Sequence, residues 1–346
     1  MRNASVDFFR YLFIINICLW HLNDQLHLLN HGYLAVEFFF VLSGYFLFYT
    51  EKKNPNLSTV QFVGKKYKRF YPKYIFAFLI TAILKWRLFV PQELGEVNCW
   101  FDACFSRTAE ILLIQATGFS EGGEHVINGP MWFLSSLIWS SAIIWATIRT
   151  FKEKAASWFL PIIIFIGYTY LLNNPDYWNL ERHSPEVIFV CSRMIRGICG
   201  ISLGYMIAYL ADTYSIEKIP LLIVNIAAIS SVVVFILAEL ASNSYDNYAL
   251  YSIPFIIVTC FRTDSVFNKV FKSKMFVSLG KISFDMFLIH IAFLVVYRHF
   301  LKMFDLPKYE IVLLYIILIT ALGYLFNYIF VVIYKFITFQ ICKVNR

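Results

Sequence analysis

The sequence predicts an all-α polytopic membrane protein with about ten transmembrane helices and both termini cytoplasmic. Three observations predict it. Of 346 residues, 59% are hydrophobic and only 15% are charged, where a soluble domain carries about 25% charged residues. The mean hydropathy is +0.64. The apolar residues fall in long runs divided by short basic loops, as expected of helices that must satisfy their own backbone in hydrocarbon. The net charge of +8 sits in those loops and not in a basic domain. It therefore fits the lipid bilayer and topology control, and no nucleic acid is expected as a partner.

The expected spans are 9–29, 33–50, 72–90, 131–148, 156–173, 191–211, 219–239, 248–262, 282–299 and 311–334, forming one transmembrane domain over 1–346. The first span is expected to stay in the protein, because Arg10, Asn16 and His21 interrupt it and no small-residue cleavage site follows. The second is an uninterrupted apolar run ending at Lys52 and Lys53. Lys65, Lys66, Lys68, Arg69 and Lys73 precede or open the third. Residues 91–130 read as an extracytoplasmic loop, and its run TAEILLIQAT is too short to cross alone, so a short re-entrant or interfacial helix is expected there. Pro130 just before Trp132 suits the first turn of the fourth span. Gly197, Gly200 and Gly204 lay small residues along the sixth, a helix-packing pattern. Lys and Arg gather in alternate loops, which places both termini on the cytoplasmic side. No internal repeat is evident, which argues against repeat-built transporters.

The seven cysteines show no metal spacing, and no metal is expected. Cys18, Cys191, Cys199 and Cys260 lie in or beside apolar runs and read as buried packing groups. Cys99 and Cys104 share the 91–130 loop, where an oxidising compartment permits a disulfide. Glu121, Glu124 and His125 are close in sequence but lack ligand spacing.

Ionisable groups inside spans are costly and mark function. Arg10 and His21 are eleven residues apart, which on a helix is about 16 Å and nearly one face. An arginine at a cytoplasmic mouth can hold phosphate, and an imidazole deeper in can take a proton from a hydroxyl. That pair suits a long donor with a phosphorylated head and a reactive tip, an acyl-coenzyme A. Alternatively, Arg10 is a positive-inside anchor and His21 a structural hydrogen-bonding group. Glu37, in an adjacent antiparallel span, can orient His21, bind the acceptor, or pair with Arg193 or Arg196. Asp24, one turn above His21, competes for the orienting role and stands with Trp132, Arg193 and Arg196 as an acceptor-binding candidate. Arg182 joins the two arginines as an outer cation. Ser43 reads as donor lining, since no GxSxG elbow surrounds it. Gly44 permits close backbone approach by the donor's pantetheine arm. His290, expected about two turns into the ninth span, either contacts the donor or locks helix packing.

These segments resemble the membrane acyltransferase 3 family, the multi-span O-acyltransferases of bacterial surface polysaccharides and related acceptors. DFFRYLFIINICLWH resembles its first-span pattern, and GYLAVEFFFVLSGYFLF its second-span signature. GPMWFLSSL resembles the tryptophan segment of the fourth span, and GKISFDMFLIHIAF the late serine–aromatic–LIH element. The resemblance implies that His21 is the catalytic base and that Arg10 meets the acyl donor. It departs at Leu137, where many members carry a glutamate, leaving Glu37 as the acidic helper. The expected activity is transfer of an acetyl group from acetyl-CoA to a hydroxyl of a lipid-linked saccharide or surface polysaccharide. The expected location is a bacterial cytoplasmic membrane, and the sequence leaves the oligomeric state open. The competing class is a transporter or flippase for an amphipathic anion, for which buried His and Glu would serve proton coupling.

Overall fold

The structure is a computed structural model that describes residues 3–22, 29–89, 108–116, 127–173, 180, 191–301 and 306–344. Asp24, Cys99, Cys104, Glu121, Glu124, His125 and Arg182 lie outside the described residues. All regular structure within them is helical: α1 (Ala4–Leu22), α2 (Ala35–Lys53), α3 (Thr59–Phe89), α4 (Thr108–Ile111), α5 (Trp132–Phe151), α6 (Leu160–Leu172), α7 (Ser192–Tyr214), α8 (Leu221–Leu240), α9 (Asp246–Phe261), α10 (Val266–Val270), α11 (Lys274–Leu301) and α12 (Lys308–Val344).

The expected count of about ten spans is corrected to eight: that is how many helices, among the described residues, are long and apolar enough to cross a membrane. The difference falls on the third and eighth expected spans. Both are helical, but α3 carries Lys65, Lys66, Lys68, Arg69 and Lys73 in its first half. α9 has only 16 residues, short of the roughly 20 that the hydrocarbon core asks for.

Local sequence sets several boundaries. Asn3 accepts the backbone N–H of Val6 at 3.0 Å and caps the start of α1. Asn54 closes α2 twice, its backbone and side-chain amides both donating to the Thr50 carbonyl at 3.0 Å. Pro72 lies inside α3 and removes one backbone donor immediately before Lys73.

α2 is the centre of the bundle: 78% of the Gly32–Lys53 span is buried, against 17% for the span of α12. α1 runs antiparallel to α2, with Phe13 stacked on Phe38 at 4.3 Å and Trp20 meeting Tyr33 at 5.6 Å. α1 and α11 run parallel, for Asp7 packs on Gly280 and His21 lies beside His290. α7 runs parallel to α2 at backbone contact. A Cβ on Gly44 would fall inside the Ile201 carbonyl, and one on Gly204 inside that of Val41. Small residues are the means by which helices approach this closely in lipid. Gly44→Val and Gly204→Val should each cost at least about 1–3 kcal/mol, the range for overpacking. The check is the yield of monodisperse protein in detergent; wild-type yield from both variants would show that the two helices can part freely.

The segment 108–116, expected as a re-entrant or interfacial helix, is a single turn (α4) followed by Leu113 at φ 55°. It is stapled between α3 and α5. The buried Glu110 carboxylate accepts the backbone N–H of Asn128 at 2.6 Å and of Ile127 at 3.1 Å. Trp139 donates to the Leu113 carbonyl at 2.9 Å, and Ala116 N–H donates to Ser135 at 3.2 Å. This clasp fixes the Gly129–Met131 turn from which α5 and Trp132 start.

Candidate active site

A cavity of about 630 Å³ opens among α1, α2, α3, α5 and α11. Its wall follows α2 from Asn54 to Val36, a helical length of roughly 27 Å. One end is strongly cationic, lined by Arg10, Lys65, Lys66, Arg69, Lys73 and Lys281, with Asp285 as its carboxylate. The other end is apolar, closed by Ile17, Val36, Phe133 and Phe287.

Three of these cations are held in place by polar partners. Arg10 meets the buried Asp7 at 3.4 Å. Lys66 donates to Ser141 at 2.6 Å. Lys73 pairs with Asp285 at 2.6 Å and donates to Asn327 at 2.9 Å, tying α3 to α11 and α12. Ammonium and guanidinium groups in this density suit a polyphosphate head, since each contributes charge-assisted hydrogen bonds to phosphate oxygens.

Arg10, Ile14 and Ile17 line the cavity from α1, and His21 continues that stripe one turn further. Phe287 lines it from α11, and His290 follows one turn further. The two imidazoles meet beyond the apolar end with centroids 5.2 Å apart. Arg298 donates to the His21 carbonyl at 2.7 Å and anchors the end of α1 to α11. The α11 helix starts at Lys274, eight residues before the expected ninth span. His290 is therefore much deeper than two turns and level with His21. The extra turns come from KMFVSLGK, whose lysines flank an apolar stretch that continues the helix.

Two expected roles are not what the geometry gives. Glu37 is fully buried, and both its oxygens are engaged on the α7 side of α2: Arg196 donates to Oε1 at 2.7 Å and Tyr168 to Oε2 at 3.2 Å. That is the Arg196 pairing left open by the sequence, and it corrects the idea that Glu37 orients His21, whose contacts lie with α11. Gly44 faces the Ile201 carbonyl of α7 rather than the cavity, so no pantetheine arm can pass there. Ser43, its neighbour, does line the cavity. Trp132, Arg193 and Arg196 do come together, both guanidinium carbons lying 5.3 Å from the indole ring. Arg196 also donates to the Tyr33 carbonyl at 3.2 Å, so it is a buried structural cation rather than the outer, acceptor-binding one expected from the sequence.

Sequence reasoning missed Lys65, Lys66, Arg69, Lys73 and Lys281 as site residues, reading them as loop charges. Their spacing was the available signal: 62, 66, 69 and 73 form one helical face. It also missed Asp285 and Arg298. Cys18, Cys199 and Cys260 are buried packing groups, and Cys191 is half-buried and donates to the Ala116 carbonyl.

An apolar helical bundle with a long, cation-mouthed cavity, whose apolar end lies one turn short of two paired imidazoles, defines a polytopic membrane protein with room for an elongated anionic ligand. Residues 3–332 match the model of acyltransferase family 3, described as an acyltransferase domain. The chain belongs to that family and is an acyl-CoA-dependent O-acyltransferase. No curated protein and no solved structure matches it significantly.

Proposed function

We propose that the protein moves an acetyl group from acetyl-CoA to a hydroxyl of a lipid-linked saccharide or surface polysaccharide in a bacterial cytoplasmic membrane. The observation that carries this is one cavity that runs from six cations to Ile17 and Phe287, one helical turn short of His21 and His290. The cationic end faces the cytoplasm, where positive residues are retained, and both termini lie on that side. Arg10, Lys66 and Arg69 hold the donor's phosphates. Ser43 and the aromatic wall hold its arm and keep water away. The bound donor supplies an activated acyl carbonyl and a thiol leaving group. His21 takes the proton from the attacking hydroxyl as the C–O bond forms, and returns it to sulfur as the C–S bond breaks. Direct transfer is the simpler course, because Ser43 lies in no nucleophile elbow. Trp132 and Arg193 receive the acceptor.

The test uses purified full-length protein, radiolabelled acetyl-CoA and a panel of lipid-linked and free oligosaccharides. Label should move to a saccharide hydroxyl. Hydrogen bonds to a charged partner are worth about 1.5–3 kcal/mol, so Lys66→Ala and Arg69→Ala should each raise the donor KM about tenfold or more. Movement of an unmodified solute across sealed vesicles with no thioester consumed would overturn the reading.

A further inference from the structure

With Glu37 engaged by Arg196 and Tyr168, His21 needs another group to set its tautomer and direction. We propose that His290 is that positioning residue: its Nε2 accepts a hydrogen bond from the His21 ring, so that the second nitrogen of His21 faces the hydroxyl. The proposal rests on the reading of His21 as the base.

The His290 Nδ1 lies 2.5 Å from the Phe287 carbonyl. A carbonyl only accepts, so Nδ1 carries the hydrogen. In the neutral ring Nε2 is then a bare acceptor. This nitrogen is buried and has no hydrogen-bond partner in the described structure. A buried acceptor left in that state is costly, and its cost ends when a donor reaches it. His21 is the donor in reach. Two imidazoles joined edge to edge by a hydrogen bond of about 3 Å put their centroids about 5 Å apart, and the observed separation is 5.2 Å with the planes at 37°. A small rotation of His21 completes the bond.

The His290 ring cannot follow that rotation. Phe287 stacks on it at 5.6 Å, and Phe133 packs edge-on against Phe287 at 5.5 Å. Both phenylalanines line the cavity. Among the described residues, the charged group beside His21 is Arg298, which holds its carbonyl. His290 gains no proton in the reaction. His21 takes the hydroxyl proton on its free nitrogen, and His290 steadies the resulting imidazolium through the N–H already shared.

Two variants and one measurement on the wild type test this. His290→Phe keeps a flat ring but removes the acceptor. It should lower kcat about 10²-fold or more, the lower range for acid–base assistance, with the donor KM within about threefold of wild type. The acid limb of its kcat/KM profile should move. His290→Gln restores an acceptor atom at the same reach and should recover to within about tenfold of wild type. In wild-type protein labelled with 15N-histidine in bilayers, His21 should show one tautomer whose N–H is bonded to nitrogen. A His290→Phe variant with wild-type kcat and pH profile would overturn the proposal. So would a wild-type His21 with both tautomers equally populated, and this result stands even if the variants misfold. A fully active His21→Asn would instead defeat the reading of His21 as base, whatever the spectra show of His290.

Discussion

Replacing Arg196 with leucine should cost about 3–5 kcal/mol of stability, because it leaves the Glu37 carboxylate buried without its counterion. Neither side chain has appreciable access to solvent: 3% for Arg196 and none for Glu37. The pair therefore gains little from water and depends on its own geometry. That geometry is good, with the 2.7 Å contact supplemented by Tyr168 on the acid and by the Tyr33 carbonyl on the cation. Removing both charges is a different experiment. Well-packed apolar residues often replace a buried ion pair at no cost or with a gain, so Glu37→Leu with Arg196→Leu should recover most of the loss. Thermal unfolding of the single and double variants in one detergent checks this. If the double variant is no more stable than Arg196→Leu alone, the penalty is lost packing against Trp132 and not an orphaned charge. The distinction bears on the site, because this pair sets the position of the Trp132 indole between α2, α5 and α7.

The sequence reports such a bundle unevenly. Apolar runs and their charged borders are dictated by the bilayer itself, so the class and most helices are legible from composition and period. The pairing of helices is another matter. Glu37 stands on a helix that touches α1 on one side and α7 on the other, and a one-residue change of direction, about 100° around the axis, decides which it meets. Phe38 turns toward α1 and Glu37 toward α7. Gly44 and Ser43 divide in the same way between the α7 contact and the cavity. The basic run from Lys65 to Lys73 misleads for a different reason: it obeys the positive-inside pattern and lines a cavity at once. Only the continuation of α3 through it, from Thr59 to Phe89, turns loop charge into a wall. The Arg10–His21 spacing was fully readable because both groups lie on one helix, where distance follows from residue count.

That spacing supports the prediction with the largest effect on rate. His21→Asn should reduce kcat by about 10²–10⁴-fold, the contribution of a positioned general base, while leaving acyl-CoA affinity near wild type. Asparagine keeps a polar group of similar reach but cannot accept the hydroxyl proton. It also leaves untouched the cations that hold the donor, since Arg10 is about 16 Å away along α1. Binding and turnover should therefore separate: Lys66→Ala and Arg69→Ala act on KM, and His21→Asn on kcat. Label transfer at saturating donor gives the second quantity, and equilibrium binding of labelled acyl-CoA to the purified variant gives the first. A His21→Asn variant that turns over within tenfold of wild type has lost no base, and the proton must then go elsewhere. A variant that fails to bind acyl-CoA would show that His21 belongs to the donor pocket itself, because the cationic mouth cannot sense a side chain about three helical turns away unless the bound donor spans the whole distance.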